Sequence, residues 1–141
     1  RSEKFKSYSR FFKGLVVEEG PGSPPPTFPG SALEWRVFWW LTVHRIPFIF
    51  QQPILGGRLR RGGQVGDFLI TDRAPQLVMN VQGEYYHYRS TELAANAIFE
   101  KLALLRQGYQ VCYLVGRDLI DRLDYTMREA LRGHQLFRDT P

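Results

Sequence analysis

The residue types best suited to chemistry in this chain lie at the ends of two short apolar segments. Asp67 is the second residue of the first segment, residues 66–70, and Asn80 and Gln82 close the second, which begins at Leu77. Side chains alternate along a β-strand, so Asn80 and Gln82 share one face, and paired strands lie about 4.8 Å apart. If the two segments pair, Asp67 comes close to both amides. A carboxylate and two amide oxygens brought together in this way suit a hard cation such as Mg²⁺.

The two segments predict a β-hairpin within a larger sheet. Residues 71–75 separate them and carry turn chemistry, since Pro75 fixes its own φ and Asp72 can bond nearby backbone. Residues 46–54 predict a strand before the hairpin, and residues 110–115 predict a buried strand after it. Helices are predicted at residues 31–45, 90–106 and 118–132. The order α-β-β-β-α-β-α favours an α/β fold with a mixed sheet of about four strands flanked by helices, in which the last two strands are parallel.

Periodicity and end signals predict which helix residues face the core. Ser31 and Glu34 fit a capping box at the start of the first helix, which is apolar nearly all round and must be buried. In the other two helices the expected inward residues recur at helical spacing. They are Leu93 or Ala94, Ala97, Ile98, Leu102 and Leu105 in the second helix, and Ile120, Leu123, Met127, Ala130 and Leu131 in the third.

Length and composition indicate one packed domain. A chain of 141 residues can bury a real core, and 43% hydrophobic with 14% aromatic residues is typical of a folded domain. We place that domain at residues 31–141, after residues 1–30, which form a basic and aromatic arm followed by a Pro/Gly linker. The arm could lie along nucleic acid or pack on the domain.

Charge and cysteine content narrow the function classes. The formal charge of +5, mainly from Arg, suits a phosphate-rich partner, and ordinary solubility explains it equally well. The single Cys112 lies in an apolar run, which predicts an inert core thiol and excludes an intrachain disulfide or a cysteine-based zinc cluster. No apolar run approaches the roughly 20 residues that span a bilayer, and no signal peptide is visible. We therefore expect a cytoplasmic protein with no membrane partner.

The hairpin carries a motif of a known nuclease class. An Asp-bearing strand, a short turn and a strand ending in acid-x-(Lys or Gln)-Gly resemble the PD-(D/E)XK nuclease superfamily, and VQGEYYH at residues 81–87 is similar to the branch of very-short-patch-repair and related phage or homing-type endonucleases. The resemblance covers nearly all of residues 31–133 and implies a restriction-endonuclease-like fold. Asp67 stands at the first acid, Asn80 at the second acid and Gln82 at the Lys/Gln position, so Asn80 departs from the pattern.

The resemblance implies Mg²⁺ as the cofactor, with Mn²⁺ as a substitute. The expected metal ligands are Asp67, Asn80, the backbone carbonyl of Val81 and Glu34. The expected catalytic residues are Glu34, Asp67, Asn80, Gln82 and His87. Glu34 has a second interpretation as the cap partner of Ser31 alone. His87 is either a general acid or phosphate contact, or a residue at the start of a surface helix.

The expected activity is Mg²⁺-dependent DNA endonuclease or nickase activity, impaired in this chain by Asn80. Three accounts of Asn80 stay open: an Asn introduced to trap a DNA complex, a naturally inactive relative, or an active enzyme that uses Glu34 or Glu84 instead. The alternative function is a non-cleaving module that binds DNA or another protein through the same basic face.

The expected partner is double-stranded DNA. Residues 56–66 form a Gly-rich stretch with three Arg, which suits phosphate contacts or a solvated hairpin. The expected DNA-binding residues are Arg58, Arg60, Arg61, Tyr86 and Arg89. A homodimer would supply the two sites that cutting both strands usually needs.

Overall fold

A computed structural model describes residues 20–50, 67–82 and 91–136, with the side chains of residues 67 and 91–97 outside the description. The elements are α1 (Ala32–Val43), β1 (Phe48–Phe50), β2 (Asp67–Ile70), β3 (Leu77–Gln82), α2 (Thr91–Arg106), β4 (Gln110–Val115), α3 (Gly116–Asp121) and α4 (Leu123–Leu131). This confirms the predicted α/β class and element order, with one change. The single helix predicted at residues 118–132 is two consecutive helices.

The four strands form one mixed sheet in the order β1-β2-β3-β4. The strand β2 is antiparallel to both of its neighbours, whereas β3 and β4 are parallel, as the crossover through α2 requires. All six residues of β3 are buried, because helices cover both faces of the sheet at this strand. The prediction of a hairpin followed by a parallel strand is confirmed.

Helix α1 begins at the predicted capping box. Ser31 has an extended backbone, its Oγ accepts a hydrogen bond from the Glu34 N–H at 3.1 Å, and Glu34 Oε1 accepts one from the Ser31 N–H at 2.7 Å. These two bonds satisfy backbone donors that a helix start leaves open. The helix then buries Trp35, Phe38 and Leu41 against the sheet face that carries Phe68 and Met79. This face holds the main core.

The segment from Gly20 to Gly30, whose composition predicts a linker, packs on the domain. Phe28 is buried, with its ring 5.1 Å from the Trp35 ring and stacked 5.4 Å from the Phe50 ring. Trp35 Nε1 also donates a hydrogen bond to the carbonyl of Pro21 at 2.7 Å. Residues on both sides of the predicted domain boundary therefore share one core.

The inward face predicted for α2 is wrong at the positions that the structure describes, while Leu93, Ala94 and Ala97 lie outside the described side chains. Ile98, Leu102 and Leu105 are between 43% and 47% exposed, and the buried residue of this part of the helix is Leu104. Leu104 packs with Leu69 and Val78 on the sheet face opposite α1. From Ile98 to Leu105 the apolar stripe of this helix therefore points to solvent instead of to the core.

The last predicted helix is interrupted at Arg122, whose φ of −150° and ψ of 57° are not helical. The break rotates the inward face, so Leu119 is buried and Ile120, predicted inward, is exposed. Leu123, Met127 and Ala130 are buried as predicted, and Leu131 packs partly against the core. Arg36 on α1 donates from Nε to the Leu119 carbonyl at 2.7 Å, which satisfies an acceptor at the end of α3.

Two further predictions concern the single cysteine and membrane-spanning helices. Cys112 is buried, which confirms its predicted place in the core, and desolvation raises the pKa of its thiol to about 11. Within the described ranges, no helix combines the length and apolar character needed to cross a membrane.

Candidate functional site

The candidate residues gather at one end of the sheet. Since β2 is antiparallel to β1 and β3, and β4 is parallel to β3, β2 begins at the end of the sheet where the other three strands finish. Asp67 begins β2, while Phe50, Gln82 and Val115 end the other strands. The segments 51–66 and 83–90 leave from this same end. The candidates on those segments lie outside the described residues: Arg58, Arg60, Arg61, Glu84, Tyr86, His87 and Arg89.

Three polar residues, Asp67, Asn80 and Tyr113, form a row across neighbouring strands near that end. Asp67 is the register partner of Asn80, and Asn80 is the register partner of Tyr113 on β4. The sequence predicted the first of these pairings. Partners in register share a sheet face, so the row belongs to the face covered by α2. Gln82 lies on the same face, two residues beyond Asn80.

Burial makes the two amides of this row unusual. Asn80 and Gln82 are each 1% exposed. Within the described part of the chain, Gln82 Oε1 is buried without a hydrogen-bond partner. A buried polar atom left without a partner costs about 1–3 kcal/mol. The strand end therefore presents an amide oxygen that can still bind a donor or a cation.

Glu34 reaches the same end of the sheet from the other side. Its side chain is 6% exposed, and its Oε2 has no hydrogen-bond partner among the described residues. A Cβ placed on Gly30 would lie 3.3 Å from Glu34 Oε1 and 2.9 Å from Cζ of Phe50, so the carboxylate lies beside the end of β1. Because α1 covers the opposite sheet face, Glu34 and Asn80 are on different faces. The cap role of Glu34 is confirmed, and its role as a metal ligand stays a prediction.

Lys101 is a candidate that the sequence reasoning did not identify. Its Nζ lies 5.8 Å from the centroid of the Tyr113 ring, over the strand next to Asn80. One signal was available in the sequence: Lys101 precedes Leu104 by three residues, a spacing that puts both side chains on one helix face. The signal becomes useful only once Leu104 is known to face the sheet.

The candidate metal ligands at this end of the sheet carry little negative charge. Among the described residues, no group of three or more His, Cys, Asp or Glu side chains is close enough to hold a metal ion. The candidate ligands on the α2 side combine the acid at Asp67 with neutral oxygens of Asn80 and Val81. Such oxygens bind Mg²⁺, but affinity rises with ligand charge. A Mg²⁺ site at this end of the sheet therefore stays a prediction.

A second polar cluster joins α1 to α4 at a distance from the row. Asp124 accepts hydrogen bonds from Trp40 Nε1 at 3.0 Å and from Arg128 Nε at 2.9 Å, and His44 stacks on Trp40 with the rings 3.9 Å apart. The hydrogen bond from Arg128, followed by that from Trp40, lowers the pKa of Asp124. All of these groups satisfy one another, which favours a structural role.

No family model, curated protein or solved structure matches the chain.

Proposed function

We propose that this protein is a Mg²⁺-dependent DNA endonuclease or nickase whose cleavage is impaired by Asn80. The observation that carries the proposal is the direct pairing of Asp67 with Asn80 at the strand end, with Gln82 buried beyond it. A fold needs no buried amides at these positions, and apolar residues would satisfy the sheet better. The buried Gln82 Oε1, which has no hydrogen-bond partner among the described residues, supports a binding or catalytic site at this strand end.

Within this proposal, a divalent cation is held by Asp67, Asn80 and the carbonyl of Val81. When bound, Mg²⁺ polarises a phosphate and lowers the pKa of a water molecule. The protein then orients the phosphodiester and excludes bulk water. Asn80 supplies a neutral oxygen at a position where an acid would add a full charge, so cation affinity and cleavage rate are both reduced.

The Arg-bearing residues 56–66 support DNA as the partner. They connect the end of β1 to the start of β2, so the chain enters the candidate site directly from this stretch. Arg58, Arg60 and Arg61 would contact phosphates on double-stranded DNA. The net charge of +5 agrees with an anionic partner.

The amide at position 80 also favours a second candidate, a non-cleaving module that binds DNA or another protein. Such a module would retain the nuclease scaffold while lacking the charge that holds the metal. Restoring the acid separates the two candidates, because only an enzyme regains cleavage.

The test is plasmid cleavage by Asn80→Asp and Asn80→Glu proteins with Mg²⁺ or Mn²⁺. We expect nicked or linear products from at least one of them, above the level of the unchanged protein. The matched control adds Asp67→Ala to the same variant, which should abolish the products. Firm DNA binding without cleavage in every variant would favour the non-cleaving module.

A further inference from the structure

The exposed face of helix α2 carries four large apolar side chains. Ile98, Phe99, Leu102 and Leu105 are between 43% and 69% exposed and together form the α2 stripe. They present roughly 400 Å² of apolar surface to solvent, which matches the largest apolar patch of a typical monomeric protein. An exposed patch of this size commonly marks an interaction surface.

The α2 stripe points directly away from the sheet. Leu102 and the buried Leu104 are two residues apart, which turns their side chains about 200° from one another around the helix axis. Leu104 contacts the sheet, so Leu102 faces outward. Among the described elements, α2 is the one helix on its side of the sheet, since α1, α3 and α4 bury their apolar residues in the core on the other face. A second molecule can therefore approach the stripe without meeting another described helix.

The spacing of the residues is symmetric about Leu102. Ile98 and Leu105 are seven residues apart, about two helical turns, so they lie on one flank of the stripe. Phe99 and Arg106 have the same spacing and lie on the other flank. The midpoint of each pair falls beside Leu102. A two-fold axis at Leu102 that relates two antiparallel copies of α2 would therefore bring each flank onto its own counterpart.

The contacts in such a pair are complementary. Ile98 of one copy would meet Leu105 of the other, and the two Leu102 side chains would meet at the axis. Phe99, which is 69% exposed, would lie beside the Arg106 guanidinium of the other copy, and an aromatic face attracts a cation. The two Arg106 groups would be about 12 Å apart along the helices, so salt would screen their repulsion.

We propose that the α2 stripe is the contact surface of a two-fold symmetric homodimer in which the α2 helices of two copies pack antiparallel. The pair would bury about 800 Å² from both copies, whereas a stable interface buries about 1,200–2,000 Å². An interface of this size is typical of weak, reversible association, so we expect a Kd on the order of 10–100 µM. If the endonuclease proposal holds, the two candidate sites point in opposite directions, because α2 begins at the site end of each sheet. Each copy would then act on its own stretch of DNA.

Sedimentation equilibrium of the full chain between about 5 and 500 µM tests for this dimer. Phe99→Lys should raise the Kd at least about tenfold, because it places two like charges together. Adding Arg106→Glu to Phe99→Lys should restore the dimer, since a carboxylate then faces each ammonium group across the axis. Within one copy these two positions are about 10 Å apart along the helix, so the rescue can arise only between copies. The matched control is Ile120→Lys on α3, which is 49% exposed and should leave the Kd unchanged.

Disulfide formation locates the two-fold axis. Facing Cα atoms of two helices packed about 8–10 Å apart are separated by about 5 Å, which a disulfide can span. Leu102→Cys should therefore cross-link two copies under mild oxidation. Leu105→Cys is the control, because its two copies would lie about 9 Å apart along the helices and should not cross-link. Cys112 is buried and does not compete.

A chain that stays monomeric up to about 500 µM would overturn the dimer, while the endonuclease proposal, which is tested by cleavage, would stand. A dimer that is unaffected by Phe99→Lys, or that cross-links equally at positions 102 and 105, would show that another surface or random collision joins the copies and would also overturn it. A monomer that binds vesicles of anionic lipid, and loses this binding in Leu102→Glu, would assign the stripe to a membrane surface instead.

Discussion

Replacing Asn80 by Asp should make the stability of the protein depend on divalent cations. Asn80 is 1% exposed and lies opposite Asp67 in the hairpin. An added carboxylate there would be desolvated and would face another acid. Both effects disfavour its charged form unless a cation lies between the two groups.

The size of the effect follows from the burial. A buried carboxyl group can have its pKa raised by about 3 units, and each unit corresponds to about 1.4 kcal/mol. Asn80→Asp without metal should therefore lose roughly 2–4 kcal/mol at neutral pH, a large part of the about 5–15 kcal/mol that stabilises a typical domain. A cation at about 100 times its Kd returns about 2.7 kcal/mol.

The direction in which the stability of Asn80→Asp changes with pH also follows from this burial. The pKa of the new carboxyl group would be higher in the folded than in the unfolded protein, so the folded state would bind more protons. Stability without metal should then fall as pH rises above about 4, the ordinary Asp value, and should level off above the folded pKa. The loss is smaller at pH 5 than at pH 8.

The assay is a thermal unfolding series with Mg²⁺, Mn²⁺ and Ca²⁺ on the parent, Asn80→Asp, and Asn80→Asp combined with Asp67→Asn. For a chain of this length about 1 kcal/mol corresponds to roughly 4 °C, so saturating cation should raise the Tm of Asn80→Asp by about 10 °C. The parent and the double variant should shift far less. A Tm that falls in Asn80→Asp and does not respond to any cation would refute a shared cation site at Asp67 and Asn80.

Three further predictions test features of the fold. Leu104→Ala should cost about 2–4 kcal/mol in urea unfolding, whereas Leu102→Ala on the exposed stripe should cost less than about 1 kcal/mol; similar losses would contradict the observed face of α2. Cys112, with its pKa raised to about 11, should react with a thiol reagent only as fast as the protein unfolds, and rapid labelling of the folded protein would contradict its burial. The pKa of Asp124 is lowered in the folded protein, so its ionised carboxylate stabilises the fold when the pH is above the ordinary Asp pKa of about 4. This stabilisation is lost as pH falls through the folded pKa, so Asp124→Asn should flatten the fall of Tm below about pH 4.

The parts of the fold that the sequence predicted correctly depend on neighbours in the chain. The capping box of Ser31 and Glu34 spans one helical turn, and the pairing of Asp67 with Asn80 follows from a hairpin with a short turn. The buried strand 110–115 is marked by its own apolar run and by Gly108 before it. Local signals of this kind leave few alternatives.

The orientation of α2 could not be predicted in the same way. Ile98, Leu102 and Leu105 form a regular stripe, and periodicity identifies such a stripe without showing what covers it. The helix face that packs on the sheet instead carries Leu104 and Lys101. The break at Arg122 was missed for a similar reason, since no Gly or Pro marks it in the sequence.

The candidate site was predicted only along the hairpin. Asp67, Asn80 and Gln82 lie on adjacent strands, so strand geometry brings them together. Lys101 depends on a contact between α2 and β4, which no spacing within one element reveals. The roles of Arg58 and His87, on segments outside the described residues, stay predictions.

The short connection between α2 and β4 lies at the far end of the sheet, about 10 Å along β3 from the row of Asn80. Gln107 is exposed there, and the one native thiol, Cys112, is shielded. A cysteine introduced at Gln107 would thus accept a fluorophore or a cleavage reagent at a single place. If the proposed duplex binds, such a probe would report the orientation of the protein on it while leaving the opposite end of the sheet free.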